Sequence, residues 1–165
     1  MNLVTINKEV KYLSEVITDF PTNCIFDKGK VGAGATTIAL TNNENYIIAV
    51  PFVSLIENKV AQHKSTVLGV YNLTTSAKIK SYLANTKTKK ILVTYDSLPK
   101  LIEYLDQFGY DAKDFSLLID EYHLLFTQYS FRRQAVKGVL DNYLKFKRFE
   151  YLLFKRFTKI LAILL

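Results

Sequence analysis

Apolar positions along the chain fall into two alternating patterns. One is helical spacing. In NKEVKYLSEVITDF (7–20), Val10, Leu13, Val16 and Ile17 lie on one face of a helix, and further helices are expected over 35–43, 54–64, 74–86, 98–109 and 130–146. A Thr or Ser caps the start of 74–86, and Gly109 closes 98–109. The other pattern is the short continuous apolar run: NCIFD (23–27), NYIIAVP (45–51), STVLGVY (65–71), KKILVTYDS (89–97) and FSLLIDEYH (115–123). Runs of this length read as strands buried on both faces, and Pro51 stops the second of them. Buried strands separated by helices predict an α/β domain with a mostly parallel sheet covered on both sides. Ligands of such sheets bind at the carboxyl ends of the strands.

Composition changes this picture little. A chain of 165 residues suits one domain with a real core. The single cysteine, Cys24, excludes an internal disulfide and a multi-cysteine zinc site. The opening residues hold no apolar run of signal-peptide length, and no run is long enough to span a membrane, so a cytoplasmic location is expected.

Charge changes it more. Residues 1–129 hold 13 Lys/Arg and 13 Asp/Glu, whereas residues 130–165 hold 9 Lys/Arg against Asp141 and Glu150. The whole excess of +7 therefore lies in the last segment, which suits phosphate-rich partners or an anionic surface as well as a solvated helix face.

The strand ends carry the candidate chemistry. After NCIFD comes DKGKVGAGATT, in which Gly29, Gly34 and Thr36 match the phosphate-loop pattern G-x-x-x-x-G-K-[ST] while Ala35 stands at the lysine position. Glycines let backbone amides turn toward a phosphate, the following helix offers its positive end, and the Thr36 hydroxyl can reach a magnesium ion. A Gly/Ala/Thr loop serving only tight packing is the competing reading. After FSLLI comes Asp120-Glu121-Tyr122-His123. An acidic pair ending an apolar strand can hold magnesium through Asp120 and polarise an attacking water through Glu121. The competing reading there is a solvated turn.

Taken in order, GKVGAGATT, IIAVPFVSL, ILVTYDSLPKL and LLIDEYHLL resemble the first RecA-like motor domain of superfamily 2 DExH-box helicases, over residues 23–126. The resemblance implies a three-layer RecA-like (P-loop NTPase) fold over residues 1–146, with ATP and Mg²⁺ as cofactors. It also implies roles by position. Gly29, Lys30, Gly32, Ala33, Gly34, Ala35, Thr36 and Thr37 would form the nucleotide loop, with Thr36 and Asp120 on the metal. Glu121 would activate water, and His123 would couple the site to motion between domains. Pro51 to Leu55, with Ser54, and Thr94 to Ser97 would lie along a DNA or RNA backbone. Helicase-like chains of this kind are common in phages and other mobile elements, a source that the Asn/Lys/Ile/Tyr/Phe-rich composition suits.

Two departures temper the activity. Alanine at 35 cannot neutralise the transferred phosphoryl group, and Lys30 is the nearest substitute. A helicase also needs a second RecA-like domain, for which this chain has no room, so an ATP hydrolase here would require that domain or another subunit. The Ser-Ala-Thr type motif expected after DEYH is missing. In its place residues 147–165 read as a basic, apolar tail, with the look of a truncation or a shifted frame, or of a segment that packs on a partner or lies on a membrane surface. The alternative to an ATPase is a non-catalytic nucleic-acid or partner-binding module. It would use Arg132, Arg133, Lys137, Lys145, Lys147 and Arg148 as phosphate contacts.

Overall fold

Within the strand Tyr46–Val50 every residue is buried, yet successive side chains enter different cores. Ile47 and Ala49 join one apolar cluster, while Tyr46, Ile48 and Val50 join another. The same division holds for Ile91 and Val93 against Leu92, and for Leu117 and Ile119 against Leu118. A strand whose two faces are both apolar must be covered on both sides, and helices supply the cover.

The computed structural model describes residues 9–21, 23–27, 32–127, 130 and 132–153. Its strands are β1 (Cys24–Asp27), β2 (Tyr46–Val50), β3 (Val67–Val70), β4 (Lys90–Thr94), β5 (Ser116–Ile119) and β6 (Arg148–Leu153). Its helices are α1 (Ala35–Thr41), α2 (Val53–His63), α3 (Ser76–Asn85), α4 (Leu98–Gln107), α5 (His123–Thr127) and α6 (Arg133–Asn142). The six strands form one sheet in the order β1-β6-β5-β2-β4-β3, and every pairing is parallel. Residues of α1 and α2 (Ile38, Ala39, Ile56) belong to one cluster, and those of α3, α4 and α6 (Ile79, Leu101, Val136) to the other. The result is the expected three-layer α/β architecture. Gly69 permits its tightest contact: a Cβ there would lie 2.5 Å from Ile56 Cγ2, so α2 settles on β3 only because no side chain intervenes.

Three expectations are corrected. The helix over 7–20 is absent from its described part, where only a 3₁₀ turn at Leu13–Glu15 forms. Other partners take the backbone instead: Leu13 N–H donates to the Ala33 carbonyl (2.8 Å) and Tyr12 N–H to Glu15 Oε1 (2.8 Å). The strands expected over 89–97 and 115–123 end at Thr94 and Ile119, because a 3₁₀ turn and the Asp120–Tyr122 turn follow. Finally, the segment read as a tail from residue 147 enters the sheet. Arg148–Leu153 lies between β1 and β5, with Cys24 paired to Glu150 and Ile119 to Tyr151. The domain therefore continues past residue 146. Residues 154–165, the rest of the expected tail, fall outside the described residues.

Candidate functional site

Because all six strands run the same way, the loops leaving their carboxyl ends share one edge of the sheet. The loop after β1 reaches α1 through Gly32 and Gly34, at φ +72° and +78°. Non-glycine residues rarely adopt this left-handed region, so the glycines set the path into α1. Thr36 then sits in the first turn of α1, where its hydroxyl donates to Asp120 Oδ2 at 3.0 Å, joining positions 84 apart in sequence. Thr37 N–H closes the turn onto the Gly34 carbonyl at 3.0 Å.

Asp120 is only 8% exposed and is held at several atoms. Its N–H donates to the Ala49 carbonyl of β2 at 2.9 Å, continuing the ladder one step beyond β5. Its carbonyl accepts the Tyr95 hydroxyl, and its Oδ1 accepts Glu121 N–H at 3.0 Å. Glu121 turns at φ +56°, and its Oε2 lies 3.5 Å from Nδ1 of His123, the first residue of α5. The expected acid pair and histidine are thus brought together with Thr36.

The loop has a specific composition. Ala33 and Ala35 are each 3% exposed and pack with Leu13 and Ile38, so the position where a lysine was expected points into an apolar cluster. Gly29 and Lys30 lie outside the described residues. The donor set at this point, a hydroxyl and a carboxylate that converge, is of the oxygen chemistry that suits a hard divalent cation. Mg²⁺ is commonly held in this way, by one or two protein oxygens with phosphates and waters completing the shell.

The expected nucleic-acid path is less uniform. Ser54, Arg133 and Lys137 are exposed. Pro51, Thr94 and Ser97 are buried, and the Thr94 hydroxyl donates to Ser97 Oγ at 3.0 Å. Arg132 turns inward: Nη1 donates to the Pro51 carbonyl at 2.8 Å, Nη2 pairs with Asp96, and the guanidinium lies 5.9 Å from the centre of the Tyr95 ring. Arg148 and Lys147 stand at the opposite, amino edge, paired with Asp19 (2.6 Å) and Glu44 (2.8 Å). Arg148 opens β6 and Lys147 stands just before it, so neither extends a basic helix face.

That amino edge holds a polar cluster absent from the sequence-based expectations. Asp19 accepts from Arg148, Tyr46, Asn42 and the Phe20 N–H. Burial pushes its carboxyl up, but the hydrogen bonds from Arg148, Phe20 and Tyr46 outweigh it, and the net shift is below the ordinary value. Lys90, 4% exposed, donates from Nζ to the carbonyls of Ala39 and Glu44 and to Asn42 Oδ1. It caps the carboxyl end of α1, and burial lowers its pKa to about 8. A lysine opening the apolar run KKILVT was the available sign. An open cleft of about 630 Å³ beside Lys90 and Tyr82 lies at this edge, away from Thr36 and Asp120. Among the described residues no helix is long and apolar enough to cross a membrane.

No family model matches the chain, and no curated protein matches it. Among solved structures it is similar to the crystal structure of the Pyrococcus furiosus Hef helicase domain, at 15% identity and a TM-score of 0.47, over 86% of this chain and 37% of that one. The chain thus spans well under half the length of that structure. The order of the described strands and the contacts at their ends therefore define the fold and the candidate site.

Proposed function

We propose that this chain is an ATP-binding domain of DExH-box helicase type, acting on DNA or RNA together with a second RecA-like domain or another subunit. The observation that supports it is the contact between Thr36 Oγ1 and Asp120 Oδ2, at the edge where parallel sheets bind ligands. Residues from a glycine-rich loop and from an acidic strand end meet there, 84 positions apart in sequence.

In this reading the Gly32–Gly34 turn and the first turn of α1 receive the β and γ phosphates. Thr36 and Asp120 would hold Mg²⁺, which when bound neutralises phosphate charge. Glu121, whose backbone turns at φ +56°, accepts a proton from the attacking water, and His123 beside it sets the carboxylate's orientation. Ala35 brings no charge to the transferred phosphoryl group, so turnover is slow unless Lys30 or another chain supplies that charge.

Titrating a fluorescent ATP analogue with and without Mg²⁺ tests the proposal. Mg²⁺-dependent binding that Asp120→Ala abolishes is expected; equal binding with and without the metal, or none, overturns it. The non-catalytic alternative, with the basic segment on nucleic acid, is weakened by the internal pairing of Arg132, Lys147 and Arg148. It would regain ground if salt-dependent binding to single-stranded DNA or RNA were lost in Arg133→Ala/Lys137→Ala and unaffected by nucleotide.

A further inference from the structure

Tyr95 is 1% exposed, and neither its hydroxyl nor its ring has a part in the nucleotide chemistry proposed above. Its position is unusual even so. It follows β4 directly, and its hydroxyl crosses beneath the site to donate to the Asp120 carbonyl. Asp120 is thereby gripped on both sides of its Cα. The N–H is fixed by Ala49 of β2 at 2.9 Å and the carbonyl by Tyr95 beyond β4. With both peptide groups fixed, the carboxylate has little freedom beyond its own side-chain torsions, and these direct Oδ2 to Thr36 and Oδ1 to Glu121 N–H.

The tyrosine is itself braced. Arg132, just before α6, places its guanidinium over the Tyr95 ring at 5.9 Å. The same group donates to the Pro51 carbonyl after β2 and pairs with Asp96 beside Tyr95. One cation therefore joins the exits of β2 and β4 to α6.

We infer that Tyr95, steadied by Arg132, is a positioning residue that sets the Asp120 carboxylate for its metal. The inference rests on the proposed Mg·ATP site and adds to it a support one layer behind the ligands. Groups that orient a metal's ligands commonly carry about 10- to 100-fold of its affinity.

The experiment uses Mn²⁺ as the probe, followed by its paramagnetic resonance signal, with a non-hydrolysable ATP analogue bound to the full chain. Tyr95→Phe keeps the ring and removes the hydroxyl. It is expected to weaken Mn²⁺ binding about tenfold, with analogue affinity in EDTA changed by less than about twofold. Arg132→Gln, which leaves the hydroxyl in place, is expected to shift Mn²⁺ affinity in the same direction by a smaller factor, and it carries the test if Tyr95→Phe does not fold. Unchanged Mn²⁺ affinity in the variants, or an equal loss of Mn²⁺ and of metal-free analogue, overturns the positioning role alone. Failure of the unaltered chain to bind Mn²⁺ with the analogue overturns the nucleotide site and this inference together.

Discussion

At the amino edge of the sheet, Asp19, Tyr46, Asn42, Lys90, Ser116 and Arg148 donate and accept among themselves and the surrounding backbone. Opposite charges meet there, Arg148 on Asp19 and Lys147 on Glu44. At the carboxyl edge the balance differs. Asp120 and Glu121 are adjacent like charges, and the hydroxyl of Thr36 and the amide of Glu121 both donate to the Asp120 carboxylate. Two neighbouring carboxylates at a site where one is almost buried destabilise each other unless a cation joins them. The first edge pairs opposite charges, whereas the second sets two acids side by side, the arrangement that the proposed Mg²⁺ site would use.

This contrast can be broken from either side. The largest effect is expected from Asp120→Asn, which should remove about 100-fold of the Mg²⁺-dependent nucleotide affinity while leaving thermal stability nearly unchanged. Paired calorimetric titration and melting would show it, and a large loss of stability would place Asp120 with the structural locks. Arg148→Met should do the reverse. By stranding Asp19 and Ser116 it should cost about 2 kcal/mol, or about 4–8 °C in melting temperature, without changing Mg²⁺-dependent binding.

Thr36→Val, similar in volume but without the hydroxyl, should weaken Mg²⁺-dependent affinity about tenfold and hardly alter melting. The smallest effect concerns pH. Burial holds Lys90 at about 8 in the folded chain, below its ordinary value, so between that pH and about 10.5 the unfolded chain binds more protons. The Lys90 contribution to stability therefore rises with pH across this window. Denaturation curves at pH 7.5 and 9.5 should show a difference between the unaltered chain and Lys90→Met that depends on pH; parallel behaviour would mean that the amine titrates normally.

The strands were legible because a buried parallel strand is a continuous apolar run, and the helices because each needs only one apolar face. The meeting of Thr36 with Asp120 was legible because a glycine-rich loop pattern follows one apolar run and an acidic pair ends another. Residues 9–21 misled because Val10, Leu13, Val16 and Ile17 have helical spacing, whereas Leu13 and Phe20 are the ones that enter the core and Val16 is 48% exposed. Periodicity cannot show that Asp19 is pulled toward an arginine 129 positions away. β6 was hidden for a similar reason: RFEYLL interrupts its apolar residues with charge, and Arg148 has a partner only because β5 and the Asp19 segment lie beside it. Tyr95 was legible as a member of the TYDSL run but not as a support for Asp120, because its hydroxyl acts across 25 positions.

The sheet order has a consequence for the timing of assembly. Among the described residues β1 borders β6 alone, and Cys24 pairs with Glu150, 126 positions later. The strands β5, β2, β4 and β3 adjoin one another and are complete by residue 119. On a ribosome, where synthesis runs from the amino end, that four-stranded part can close while β1, made before it, still lacks its described neighbour. Closing so long a loop is slow, and it must await residues 148–153. The strand that leads into the glycine turn is therefore synthesised before the other described strands and seated after them, so a nascent chain halted before β6 would carry the Asp120 side of the candidate site without a seated β1.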